Sequence, residues 1–442
     1  MYLALRDILS KIVPFTVLPM AIYSFQRFAP APIGNTLFWW MIQAAVLMIF
    51  LTARFIFFER VNKKHFLIID LYLYWIIFSL VRGIFMAENY WDYKTLVGRT
   101  FDLLLVIVAY VVSNKERLQS IMSFYIYYTI PLSLVVIIVQ GVFMAKGVFL
   151  YPLSFLLLFL PLLKSQWKTV LIVFAILVIA DGIFTGTRSL IIKFGVPFLI
   201  LLLYYFRFFV ATNQIIKLTH KVLLIAPWLF FTLGVSGIFN VFQIREYLNI
   251  NYVAEVQTNE GVVKKQEMTQ DSRTFIYREV LQSAQKYNYW ILGRSPARGN
   301  ETVVFADVFE EISGRNERYR NEANVPNIFT WMGIIGLLLY FLVFYKASYL
   351  AIYKSNNIFS KLTGLYVALR WAYAWVEDYS SFGINDFTIW LMIGVCFSES
   401  FRKMNNLEVK LWVRGIFEKR YITYLDYLEK KVPKKIVKTK PI

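Results

Sequence analysis

What most constrains this chain is its succession of apolar runs, each close to the ~20 residues a helix needs to cross a hydrocarbon core. They fall near 12–29, 37–58, 66–87, 95–112, 121–142, 147–163, 168–184, 189–210, 220–239, 327–350, 358–376 and 384–401. Backbone in lipid must satisfy its own polar groups, so runs of this length read as helices. The expected fold class is an all-α polytopic membrane protein with about 12 transmembrane helices. Composition agrees: 58% of residues are hydrophobic and only 17% charged, too apolar for a dispersed soluble domain. The runs at 121–142 and 147–163 share a short connector holding Lys146 between Gly141 and Gly147. Reading that pair as one re-entrant unit would invert all later topology. More spans follow the first run, so no cleavable signal peptide is expected.

Charge supplies a second, independent reading. The formal net charge is +19, and it separates by loop. One alternate set carries Arg6 and Lys11, "ERVNKK" at 59–64, "NKER" at 114–117, and Lys164 with Lys168. It continues through Arg207, Lys217, Lys221, Lys346, Lys354 and Lys361 to a tail from Arg402 with twelve Lys or Arg against four Asp or Glu. The other set, "APAPIGN" at 29–35, "ENYWDY" at 88–93, "DGIFTGTR" at 181–188 and "EDYSSFGIND" at 377–386, is neutral, acidic or nearly uncharged. The positive-inside rule then puts both termini in the cytoplasm, and nucleic acid is not needed to explain the excess charge. Cys396 is the one cysteine, which excludes an intrachain disulfide and a thiolate metal cluster. The two histidines, His65 and His220, are assigned to cytoplasmic loops, leaving no imidazole on the outer face.

Four segments follow: 1–239 with about nine helices, a polar stretch at 240–325, 326–401 with about three helices, and a basic cytoplasmic tail at 402–442. The polar stretch falls outside. Within it, "SRTFIYREVLQSAQKY" places Phe275, Ile276, Val280, Leu281 and Ala284 at helical spacing, with Asp271 or Ser272 as N-cap. Gly and Pro in "LGRSPARG" end that helix. The tail segment "EVKLWVRGIFEKRYITYLDYLEKK" reads as an interfacial helix suited to anionic membrane lipids.

Arginines gather on the outer side. Arg82 lies near the end of the third run, Arg99 opens the fourth, Arg188 sits between the seventh and eighth, and Arg370 is in the outer half of the eleventh. Arg273, Arg278, Arg294 and Arg298 join them from the polar stretch. One reading has each snorkel or pair with an acid such as Glu88, Asp92, Asp102, Asp181 or Glu377. The other has them line a cationic cavity, where guanidinium forks suit a pyrophosphate. Acids of the stretch, Asp271, Glu279, Glu301, Asp307, Glu310, Glu311, Glu317 and Glu322, read as surface charge. No phosphate-binding Gly loop, zinc motif or nucleophilic-serine signature is present.

Three pieces resemble the O-antigen ligase/polymerase family of bacterial membrane glycosyltransferases. These are "TGTRSLIIKFG" at 185–195, "SRTFIYREVLQSAQKYNYWILGRSPARGN" at 272–300 and "NVPNIFTWMGIIGLLLYF" at 324–341. The resemblance implies a GT-C-like fold and a metal-independent, inverting transfer at the outer face of the bacterial inner membrane, with no cofactor. It implies a donor glycan on undecaprenyl pyrophosphate. Arg188 matches the family's outer-mouth Arg, and Arg273 or Arg278 its loop Arg. Arg82, Arg99, Arg294, Arg298, Asn324, Asn327 and Arg370 are the candidate pyrophosphate- and glycan-binding residues. Many ligases carry a His just before the Asn; here Pro326 precedes Asn327, and Glu322 is the nearest acid to act as base. The expected activity is a polymerase of lipid-linked repeat units, working beside a flippase and a chain-length regulator. A ligase of finished polymer is the alternative in the same class, and a polysaccharide flippase the alternative in another.

Overall fold

The computed structural model describes residues 2–26, 29, 31, 33–140, 147–209, 211–243, 247, 253–257, 263–267 and 273–431. Among them, nine helices are long and apolar enough to cross a membrane. They are α1 (Leu3–Gln26), α2 (Thr36–Phe57), α3 (Arg60–Met86), α4 (Tyr90–Val112) and α5 (Lys115–Val139). After a shorter α6 (Val148–Leu157) come α7 (Ser165–Phe184), α8 (Arg188–Tyr205) and α9 (Thr212–Val235). The polar stretch contributes α10 (Thr274–Tyr287) and α11 (Ala306–Ser313). The ninth long helix is α12 (Asn324–Tyr353), followed by α13 (Ile358–Tyr373), α14 (Ile384–Phe397) and α15 (Glu399–Arg402). The chain then forms α16 (Asn406–Phe417) and α17 (Arg420–Lys431). The protein is thus a multi-pass α-helical membrane protein.

Each of the twelve apolar runs is largely helical over its described residues, but three fall short of a crossing, namely α6, α13 and α14. In α14 every residue except Asn385 is buried. A helix apolar on all sides belongs in the interior, and here hydropathy reports contact with protein and not with lipid. The all-α expectation needs amending within the polar stretch, where Val253–Gln257 pairs antiparallel with Val263–Glu267 and Asn300–Glu301 with Glu317–Arg318. The proposed caps Asp271 and Ser272, and the connector residues Gly141 and Lys146, lie outside the described residues.

Asparagine starts many of these helices. Asn35, Asn89, Asn114 and Asn357 each accept a first-turn amide, and Asn405 forms a capping box with Glu408. Pro131 cannot donate to the preceding turn, and α5 relaxes there into a π-helical turn at Tyr125–Thr129.

Contacts between connections define two opposite ends. At one, Gln119 donates to the Trp412 carbonyl (2.6 Å), Arg414 to Leu162 (2.9 Å), Lys361 to Asn213 (2.8 Å) and Arg402 to Lys354 (2.9 Å). At the other, Arg315 meets Asp92 (3.2 Å), Tyr277 donates to the Trp375 carbonyl (2.6 Å), and Arg320 pairs with Asp378. The basic set of loops gathers at the first end and the neutral or acidic set at the second. Helix α16 departs from the expected lipid-facing pose, because Val409, Trp412, Val413 and Ile416 are buried beneath the bundle. Both histidines are reassigned from loops to helices: His65 lies within α3, and His220 within α9, 2% exposed and bonded to Ser348 at 2.9 Å.

Helix α12 breaks at Gly333 (φ 66°, ψ −168°). The Trp290–Arg294 strand of chain fills the break. The Ile334 amide donates to the Trp290 carbonyl (2.9 Å), and the Arg294 amide to Thr330 (2.6 Å). Arg82 holds the Gly293 carbonyl (2.8 Å), and Trp75 the Met332 carbonyl (3.0 Å). Irregular backbone at this depth is tolerated because each freed group finds a protein partner. The short, polar N-terminal half of α12 is thereby fixed against the loop that covers it.

Candidate functional site

That N-terminal half organises the outer end. Asn324 donates from its amide to the Ala374 carbonyl (3.0 Å) and from its side chain to the Tyr340 hydroxyl (2.8 Å). Asn327 is fully buried and reads the backbone of Asn321 twice, accepting from its amide (2.6 Å) and donating to its carbonyl (2.9 Å). It also donates to Asp378 (3.1 Å). Pro326 fits between them because first-turn amides need no intrahelical acceptor.

Asp378 is the hub of the charges here. Its carboxylate accepts from the Ser380 amide (2.9 Å) and hydroxyl (2.5 Å) and pairs with Arg320. Burial alone would raise its pKa, but Arg320, the Ser380 hydrogen bonds and Arg99 together hold it below the ordinary carboxylate value. For the half-buried Arg320, desolvation is outweighed by Asp378 and Asp102, which raise its pKa. Arg99 pairs with Asp102 at 2.7 Å and lies 4.4 Å above the Trp331 ring. Nearby, Asp386 takes the Ser381 hydroxyl (2.6 Å) on one oxygen, while its other oxygen is buried without a partner.

A second layer clamps the covering loop. Glu317 accepts both Arg294 (2.8 Å) and Arg298 (2.6 Å), and Arg298 reaches on to Glu88 (3.2 Å). Arg315 spans Glu88 and the fully buried Asp92. Arg294 and Arg298 are therefore neutralised, tying 294–318 to the outer ends of α3 and α4. Arg82 serves the Gly293 carbonyl, and Arg370, 3% exposed, donates to Asn385 (2.9 Å) and stacks on Tyr379 (4.3 Å). Of the expected cationic cavity, most members are thus engaged by protein.

Arg273 donates to the Val376 carbonyl (3.0 Å) and pairs with Glu322, which also meets Arg318 at 3.5 Å. The next residue after Val376, Glu377, takes Lys193 of α8, itself 3.2 Å from the Tyr151 hydroxyl. This chain of contacts joins Arg273 to the helix that Arg188 begins. Lys193 is five residues on from Arg188, a rise of about 7.5 Å. Arg188 and Arg278 differ from the rest: both are exposed, and neither has a carboxylate within ion-pair distance among the described residues.

Arg278 borders an apolar cavity of about 560 Å³ between α9, α10 and α13, walled by Pro227, Phe230, Phe231, Tyr277, Leu281 and Trp375. A second cavity of about 260 Å³ shares Phe231, Tyr277, Leu281 and Trp375 and runs on to Pro326 and Phe329 of α12. The two form one groove, from the side of the bundle to the polar first turn of α12.

Sequence reasoning singled out Asn324, Asn327 and Arg273, which the fold brings together. It missed Arg320, Asp378 and Lys193. A lysine inside the apolar run "RSLIIKFGVPFLI" was a legible signal, since charge in a span has to face a partner. Asp378 gave none, because its importance comes from Asn327 and Arg320, distant in sequence. Compared with protein-family models, with curated proteins and with solved structures, the chain matches none.

Proposed function

We propose that the chain is a polymerase of lipid-linked oligosaccharide repeat units, acting at the outer face of a bacterial inner membrane. The observation that carries this reading is the placement of Arg278, a guanidinium with no carboxylate partner among the described residues, at the mouth of the apolar groove. The groove suits a polyprenyl chain, and the guanidinium its pyrophosphate head. Arg188 supplies a second guanidinium from the mouth of α8, and Arg273 is held by Glu322 and the Val376 carbonyl.

In the proposed reaction an acceptor hydroxyl on one lipid-linked unit attacks the anomeric carbon of another. The bond from that carbon to the pyrophosphate oxygen breaks with inversion, the carrier leaves as its pyrophosphate, and the proton of the attacking hydroxyl passes to solvent. Arg188 and Arg278 stabilise the charge gathering on the leaving oxygens. Glu322, engaged by Arg273 and Arg318, positions Arg273 in this scheme. Asn324 and Asn327, buried and bonded to Tyr340, Asn321 and Asp378, hold the first turn of α12 in place. The finer architecture belongs to the same proposal: twelve helical segments in a GT-C-like arrangement, with both termini cytoplasmic.

The test is the glycan left on cells lacking the gene. Single repeat units at the surface support the polymerase. Long polymer stranded on the carrier would instead make the protein a ligase. Units accumulating inside the cell would make it a flippase and overturn both transferase readings.

A further inference from the structure

The basic end of the bundle, remote from the proposed transfer site, contains an incompletely answered positive charge. Arg402 closes the four-residue α15 and is 3% exposed. Its Nη1 donates to the Lys354 carbonyl at 2.9 Å, but Nε and Nη2 are buried with no hydrogen-bond partner. A guanidinium has five donors and is always charged, so two unpaired buried nitrogens are costly unless something accepts from them. Beside it, the side-chain amide nitrogen of Asn62, fully buried, also lacks an acceptor.

The surroundings do not supply the missing acceptor. The Glu399 amide donates to Asn62 (2.9 Å), which sets α15 against the start of α3, where Lys64 and His65 lie. Helices α3 and α12 pack along each other here, bringing Lys346 to the same end as His65. Neither Lys64 nor Lys346 has a carboxylate within ion-pair distance among the described residues. Glu399 is the acid acting on this group, and its oxygen is bonded to Lys403. Glu59 lies to the other side, accepting from Ser400 at 3.3 Å. Burial pushes the Arg402 guanidinium below its ordinary range, as expected of a charge short of a counter-ion.

We propose that Arg402, Lys346, Lys64 and His65 form a binding site for a phosphate-bearing anion, filled by the headgroup phosphate of an anionic phospholipid. Basic pockets between helix ends at a membrane surface favour such headgroups. The phosphate oxygens would accept from the Lys64 and Lys346 ammonium groups, with the buried Arg402 guanidinium contributing its charge. The lipid chains would run along the groove between α3 and α12. There Leu67 and Leu71 of α3 and Leu338 and Leu342 of α12 remain exposed. The same chemistry would serve a soluble phosphate, and the two sources separate by experiment.

The full-length protein is reconstituted in nanodiscs of phosphatidylcholine with a minor fraction of phosphatidylglycerol, then analysed by native mass spectrometry. The expected result is one tightly retained phosphatidylglycerol, with occupancy falling tenfold or more in both Lys346→Gln and Arg402→Gln. Inorganic phosphate at millimolar levels should not displace it. Displacement by inorganic phosphate would overturn the lipid assignment in favour of a soluble anion. Equal retention by wild type and Lys346→Gln, a surface change that leaves the buried Arg402 contacts intact, would overturn the site altogether. Arg402→Lys keeps the charge and should restore at least part of the occupancy, whereas a merely structural guanidinium would gain nothing in lipid binding from it.

Discussion

Gly293 and Gly333 pack backbone to backbone, so closely that a Cβ on Gly293 would sit 2.4 Å from the Gly333 amide nitrogen. Both also occupy the left-handed region, at φ 74° and 66°. Gly293→Ala or Gly333→Ala is expected to lose about 1–2 kcal/mol from backbone strain alone, and more from the clash. The covering loop should then release from α12. The check is protease sensitivity within 288–299 together with thermal unfolding in detergent.

Glu317 answers two guanidinium groups at once, each pair nearly buried. Glu317→Ala leaves Arg294 and Arg298 without their shared carboxylate and is expected to cost about 3–5 kcal/mol. The measurement is a thermal melt of the purified protein. A loss under 1 kcal/mol would show that the clamp does not hold the loop.

Arg188 and Arg278 are exposed and have no ion pair among the described residues, so their removal should leave folding unchanged. Arg188→Ala and Arg278→Ala are each expected to lower glycan chain extension at least 100-fold, the scale of one lost transition-state donor. Membrane insertion and melting temperature should match wild type. Full chain extension in both variants would refute the pyrophosphate role.

Asp378 is held below its ordinary value of 3.8 in the folded protein. A depressed carboxylate contributes stability that is fully present above the unfolded pKa and is lost as pH falls through the folded value. Between pH 7 and 5 the contribution of Asp378 should be constant, and below about pH 4 it should decline. Melting temperature against pH should show this acid-side loss in wild type. Asp378→Asn should be less stable at neutral pH and lack that component of the acid slope.

Topology has a direct test, because the native Cys396 is 2% exposed and reacts little. Single cysteines replacing the exposed Glu310 and Leu407 lie at opposite ends of the bundle. In intact cells an impermeant maleimide should label Glu310→Cys and spare Leu407→Cys. The reverse pattern would turn the assigned orientation over.

The helical class, the sorting of loops into two ends and the helix at Thr274–Tyr287 were legible from sequence. Apolar length and loop charge are local properties, and solvent or lipid acts on them residue by residue. Tertiary structure alone decided which arginines are available. Arg294 and Arg298 look identical to Arg188 and Arg278 along the chain, yet the first two meet Glu317 and Glu88 across it. Only the fold also shows that α14 is enclosed by protein, that α12 breaks at Gly333 to receive the Trp290–Arg294 chain, and that an apolar groove ends at Arg278. Pairing and cavity shape depend on groups far apart in sequence, and no periodicity or local propensity encodes them.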